Sequence, residues 1–76
     1  MELTQEERSI LSILRSNGGG ASREKFSNMT DEELYSVCQR LEQIKFIEVF
    51  PEEGEIIHRV SILWDGERYL GEHPEL

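Results

Sequence analysis

Between positions 31 and 44 the apolar residues Leu34, Val37, Cys38, Leu41 and Ile44 return every three or four places, with polar residues in between. This spacing lays one apolar stripe along an α-helix and predicts an amphipathic helix whose stripe faces a core. Thr30, with Glu33 three residues on, forms a capping box: the hydroxyl accepts from an orphan backbone N–H while the glutamate reaches back to the cap's own N–H. The helix is therefore expected to start at Asp31. Directly after it the period falls to two in FIEVF, a Pro-Glu-Glu-Gly-Glu turn follows, and a second apolar run IIHRVSIL returns. Such a pattern predicts a β-hairpin, with Ile47 and Val49 on one face, Val60 and Ile62 on the same face of the returning strand, and Glu48, Arg59 and Ser61 turned outward. Pro51, which lacks a donor, suits an edge strand.

The chain before this centre repeats the same logic. Thr4 and Glu7 make a second capping box, opening a helix that carries Ile10, Leu11 and Leu14 on one face, with Leu3 above it and Ile13 at its edge. Arg15 at its end suits the negative pole of the helix dipole, and Asn17 followed by three glycines stops it. Ser22 is expected to cap a short helix running to about Asn28 and contributing Phe26 and Met29 to the core. The short connection Asn28, Met29, Thr30 then makes a helix-turn-helix arrangement. Beyond the hairpin, Trp64, Asp65 and Gly66 are expected to close the second strand. Residues 67–72, with Tyr69 and Leu70, form a last helical turn or two that Gly71 and Pro74 fray, leaving Leu76 disordered. The fold class is thus mainly α with a β-hairpin, a three-helix unit plus a short C-terminal helix, in one domain over 1–76.

Composition narrows the partners. Sixteen acidic against eight basic residues give a net charge of −8 in 76 residues, a field that opposes polyanions unless a local cationic patch overcomes it. Anionic membranes are disfavoured likewise, and no stretch approaches the ~18 apolar residues of a membrane span. The single cysteine, placed on the apolar stripe, and an N-terminus without an apolar signal region point to a cytoplasmic protein.

Candidate chemistry is sparse. The glycines at 18–20 follow a helix, with no strand before them and no Gly-Lys-Ser/Thr after, so a helix stop and turn accounts for them better than a phosphate cradle. His58 and His73 lack metal-ligand spacing, and Cys38 lacks a cationic neighbour that would make it reactive. The Glu-rich hairpin tip has no spaced Asp/Asn/Gly loop for calcium. No catalytic, cofactor or metal site is expected, and the chain is read as a non-enzyme.

The order helix, helix-turn-helix, hairpin and closing helix resembles a winged-helix domain. In particular LEQIKFIEV is similar to the end of the third helix and first wing strand of MarR-type and PadR-type regulators, with Lys45 where glycine is usual. VSILWDGERYL resembles their closing Leu-Thr-x-x-Gly-x-x-x-Leu segment, with Leu63, Trp64, Gly66 and Leu70 at the matching places and tryptophan replacing threonine. The resemblance spans nearly the whole chain but lacks the long terminal helices through which MarR-type regulators dimerise. It implies a third helix entering the major groove and a wing touching phosphate or the minor groove.

Two functions follow from these residues. In one the domain is a regulatory or adaptor module acting through protein contact, with the wing residues Phe50, Ile56 and Ile57 as an apolar flank, Glu52, Glu53 and Glu55 as an acidic tip, and self-association as one outcome. In the other, which the resemblance implies, it is a DNA-binding transcriptional regulator in which Ser36, Gln39, Arg40 and Gln43 would face the bases and Arg59 would meet phosphate. Electrostatics favours the first, because Asp31, Glu32, Glu33 and the tip glutamates stand where a duplex would have to lie. A third, minor reading is a phosphate-mimicking decoy for another protein's nucleic-acid site.

Overall fold

The computed structural model describes residues 2–74, with Glu55 and Ile56 described by their backbone alone. Helix α1 spans Gln5–Ser16, strand β1 Gly20–Ser22, a 3₁₀ turn Arg23–Phe26, helix α2 Asp31–Gln43, strands β2 Ile47–Glu52 and β3 Glu55–Ile62, and helix α3 Trp64–Glu72. The strands make one antiparallel sheet in the order β1-β3-β2, so the hairpin's return strand is central and both of its neighbours are edges.

Both expected capping boxes are present. Thr4 Oγ1 accepts from the Glu7 backbone N–H while Glu7 Oε1 accepts from Thr4 N–H at 2.8 Å. Thr30 and Glu33 repeat the exchange at the start of α2. The two helices also end alike. After α1, Gly18 N–H donates to Arg15 C=O and Gly19 N–H to Leu14 C=O, with Gly18 at φ +75°. After α2, Lys45 N–H donates to Glu42 C=O and Phe46 N–H to Leu41 C=O, with Lys45 at φ 67°. Each is a Schellman closure that satisfies two orphan carbonyls and needs a left-handed residue just past the cap. Glycine supplies it without a Cβ penalty in the first case; lysine carries that penalty in the second.

Ile10, Leu11 and Leu14 of α1 meet Leu34, Cys38 and Leu41 of α2 in the core, closed on the sheet side by Ile47 and Val60. Val37 and Ile44, expected on the same stripe, are only partly buried. In the hairpin Ile47 pairs with Ile62 and Val49 with Val60, as the alternation requires.

Three expectations need correction. The segment after Ser22 is not an α-helix to Asn28 but a four-residue 3₁₀ turn, because Ser22 makes no side-chain cap and its hydroxyl donates to Glu24 instead. Before it, residues 20–22 form an edge strand that pairs Ala21 with Val60. And Trp64, Asp65 and Gly66 open α3 rather than closing β3. That helix begins where Leu63 N–H donates to Phe46 C=O at 2.8 Å, and Gly66 lets it pack there: a Cβ on Gly66 would stand 2.4 Å from the Phe46 carbonyl oxygen. Its far end is better tied than expected, since His73 stacks on Tyr69 at 4.1 Å and its Nδ1 lies 2.9 Å from the Tyr69 carbonyl oxygen. The expectation for Leu76 lies outside the described residues.

Candidate functional site

The nominated surface is built by α2 and the hairpin. Ser36, Gln39 and Gln43 are all exposed on the outer face of α2, beside a half-exposed Tyr35. None of the three polar side chains has a hydrogen-bond partner among the described residues, so their amides and hydroxyl are open to a ligand. At the start of the same helix Asp31, Glu32 and Glu33 are exposed. Glu33 is held below the ordinary carboxylate range, first by the Thr30 backbone N–H and then by the Thr30 side chain, so it is ionised at neutral pH.

Arg40 behaves differently from its neighbours. Its Nη1 donates to Glu7 Oε1 at 3.0 Å and its Nη2 to the Glu2 carbonyl oxygen at 3.1 Å. Glu7 is 3% exposed, and the same oxygen closes the α1 capping box, so Arg40 partners a buried carboxylate and ties α2 to the start of α1. Two of its donors are thus taken up within the fold, although its side chain stays 46% exposed. Arg23, which opens the 3₁₀ turn before α2, is also bonded within the fold. Its Nε donates to Asp31 Oδ1 at 2.8 Å, its Nη1 to Phe26 C=O at 2.8 Å and its Nη2 to Met29 C=O at 2.6 Å. One guanidinium thereby closes the turn between the 3₁₀ segment and α2, bonding the Met29 carbonyl and adding a second donor to the Phe26 carbonyl, which already accepts from Met29 N–H.

On the hairpin, Glu52 and Glu53 are exposed around Gly54, which takes φ +85° at the tip. Glu52 Oε2 lies 2.9 Å from His58 Nδ1. Phe50 is 40% exposed and sits across the ladder from Arg59. Ile57 does not join it. Ile57 is 4% exposed and belongs to the core, although Arg59 and Ser61, of the same parity, point away from the core. The register explains the reversal: between the Phe50–Arg59 and Glu52–Glu55 pairs the ladder is irregular, and the strand's alternation resets there. The side chains of Glu55 and Ile56, also nominated, lie outside the described residues. Arg59 is exposed, its guanidinium lying over β1, where a Cβ on Gly20 would stand 2.7 Å from Nη2.

Two further features, one on the hairpin edge and one on α3, escape the sequence. Glu42 Oε2 accepts from Val49 N–H at 3.2 Å, occupying a donor on the outer edge of β2 and, with Pro51, blunting that edge against pairing with another strand. Trp64 is 70% exposed, with the Arg68 guanidinium 5.4 Å above its ring. The available signal for it was the tryptophan standing where the resembled segment has threonine.

No protein-family model, curated protein or solved structure matches this chain. Its chemistry therefore rests on its own residues. Among the described residues no three His, Cys, Asp or Glu converge to hold a metal ion. Cys38 is buried at 1% exposure, and burial, helped by the nearby Glu42 carboxylate, pushes its thiol up to about 12. It stays protonated and unreactive at neutral pH. No helix among the described residues is long and apolar enough to cross a membrane.

Proposed function

We propose that the chain is a winged-helix regulatory or adaptor module, not an enzyme, that works by contacting another protein through its acidic α2 and hairpin surface. The fold reading is supported by the element order: a helix, a short strand, a turn of helix, a second long helix and a hairpin, with β1 joining that hairpin in one sheet. The single observation that carries the functional reading is the fate of the arginines. Arg23 and Arg40, the two guanidinium groups of the helix-turn-helix segment, are bonded to the protein's own carboxylates and carbonyls. Asp31, Glu32, Glu33, Glu52 and Glu53 remain exposed. A polyanion needs the reverse, because cations that neutralise phosphate supply most of its binding energy. A partner with a basic surface fits, with Phe50 as the apolar contact within the acidic rim.

The second reading, a DNA-binding regulator, draws on the open Ser36, Gln39 and Gln43 and on Arg59. Fluorescence anisotropy at low salt separates the two. A lysine-rich peptide should bind in a salt-sensitive way, and Glu32→Lys, Glu52→Lys and Glu53→Lys together should abolish that binding. Mixed-sequence duplex DNA should not bind at ~100 μM, the weak end of ordinary non-specific affinity. Saturable duplex binding by the unmodified chain below that concentration overturns the protein-contact reading in favour of the second.

A further inference from the structure

Away from the α2 face, a cavity of about 330 Å³ opens between the end of α1, the glycine turn after it, the end of β3 and α3. That volume lies at the lower end of the range of small-molecule sites, roughly 300–1,000 Å³. Its apolar part comes from Leu70, which is 6% exposed, and the half-buried Ile62. Gly18, Gly19 and Gly71 form much of the wall. A Cβ on Gly18 or Gly71 would meet nothing within 4 Å, so the space beside them is open.

Two charged residues complete the lining, Arg15 from α1 and Glu67 from α3, both exposed. They carry opposite charge and share one cavity, yet neither has an ion-pair partner among the described residues. An apolar pocket with one unneutralised donor group and one unneutralised acceptor group is complementary to a ligand that brings both charges on an apolar body. A ligand with only one charge would leave the other lining group without a partner as water is displaced.

We propose that this cavity binds a small zwitterion with an apolar body, its carboxylate received by Arg15 and its ammonium by Glu67. The proposal is independent of what the α2 face contacts. Two sources share this chemistry: a hydrophobic α-amino acid, with both charges on one carbon, and a short ω-amino acid, with the charges at opposite ends. A ligand of this size in a cavity open to solvent should bind with a Kd on the order of 1 mM.

The test is a two-dimensional ¹⁵N NMR titration of the whole chain with L-leucine and, separately, with 6-aminohexanoate. One of them should move the amides of Gly18, Gly19 and Gly71 saturably, and which one does so identifies the source. Its singly charged counterparts should bind about tenfold more weakly or less, the loss of one charge-assisted bond: 4-methylpentanoate and 3-methylbutylamine for leucine, hexanoate and hexylamine for the other. Arg15→Gln and Glu67→Gln should each produce a similar loss. Gly71→Phe places a ring in the open space and should abolish binding, with a dispersed spectrum confirming the fold. The proposal is overturned if neither zwitterion saturates by about 50 mM, well above the expected Kd, if the singly charged compounds bind equally well, or if Gly71→Phe remains folded and still binds.

Discussion

Replacing Arg40 by methionine tests whether this arginine is structural or a nucleic-acid reader. Methionine keeps much of the apolar stem but removes the guanidinium. Glu7 then keeps its bond from Thr4 N–H but loses the one ion-pair partner it has among the described residues, while remaining 3% exposed. Orphaning one member of a fully buried ion pair costs roughly 3–5 kcal/mol. Here the Arg40 side chain is 46% exposed, so water screens the pair and can partly replace the lost donor. The expected cost falls to about 2 kcal/mol, the scale of one hydrogen bond to a charged group. For a domain of this size that is a fall in Tm of roughly 8–16 °C. Urea unfolding followed by circular dichroism measures it as a lower midpoint at unchanged slope. Glu7→Gln in the Arg40→Met background should recover part of the loss, since the double variant buries no unpaired charge. A loss below about 0.5 kcal/mol, the level of an ordinary surface substitution, would refute the reasoning and return Arg40 to the outward face as a free cation.

Other substitutions test the joints of the fold. Lys45→Gly relieves a left-handed lysine at φ 67° and should stabilise by about 1 kcal/mol, raising the urea midpoint; no change would mean the Schellman closure is not under strain. Gly66→Ala places a methyl 2.4 Å from the Phe46 carbonyl oxygen and should destabilise by roughly 1–3 kcal/mol, seen as a lower Tm together with shifted Phe46 and Leu63 amide resonances. Glu33 has a folded pKa lowered from 4.5, so its contribution is fully present above that value and is lost as pH falls through the folded one. The urea-midpoint difference between the unmodified chain and Glu33→Gln should therefore be constant from pH 7 down to about 5 and shrink as pH falls further, whereas a pH-independent difference would count against the charged capping bond.

What could be read in advance was local. A capping box is complete within four residues, so Thr4 with Glu7 and Thr30 with Glu33 were visible without any tertiary information. The helix stripes were visible because a 12- or 13-residue helix repeats its period several times. β1 repeats nothing: three residues, two of them small, carry no period, and only the pairing with β3 makes them a strand. Ile57 is expected on the apolar flank of the hairpin tip, and an irregularity in the ladder, which no local spacing encodes, accompanies its turn into the core. Arg40 was placed on the outer flank of α2 by its helical position, but the partner that draws it inward is thirty-three residues away. The start of α3 depends on a contact between Gly66 and the Phe46 carbonyl that no spacing within 64–72 encodes.

The same non-local pairing sharpens the charge argument beyond the net −8. A uniformly acidic surface could still contain one cationic stripe, and a helix-turn-helix would place that stripe on α2 and the turn before it. That segment holds Arg23, Lys25 and Arg40. Arg23 and Arg40 are the two whose side chains are drawn into the structure, one closing the turn and the other neutralising Glu7. Of the other cations, Arg8 and Arg15 lie on α1, Lys25 on the 3₁₀ turn, Lys45 just after α2, Arg59 across β1 and Arg68 over Trp64. Cations spread over these elements support the proposed basic partner better than a duplex, because the exposed carboxylates gather at the start of α2 and the hairpin tip. The local electrostatics of the face therefore supports the proposed basic partner more strongly than the overall charge does.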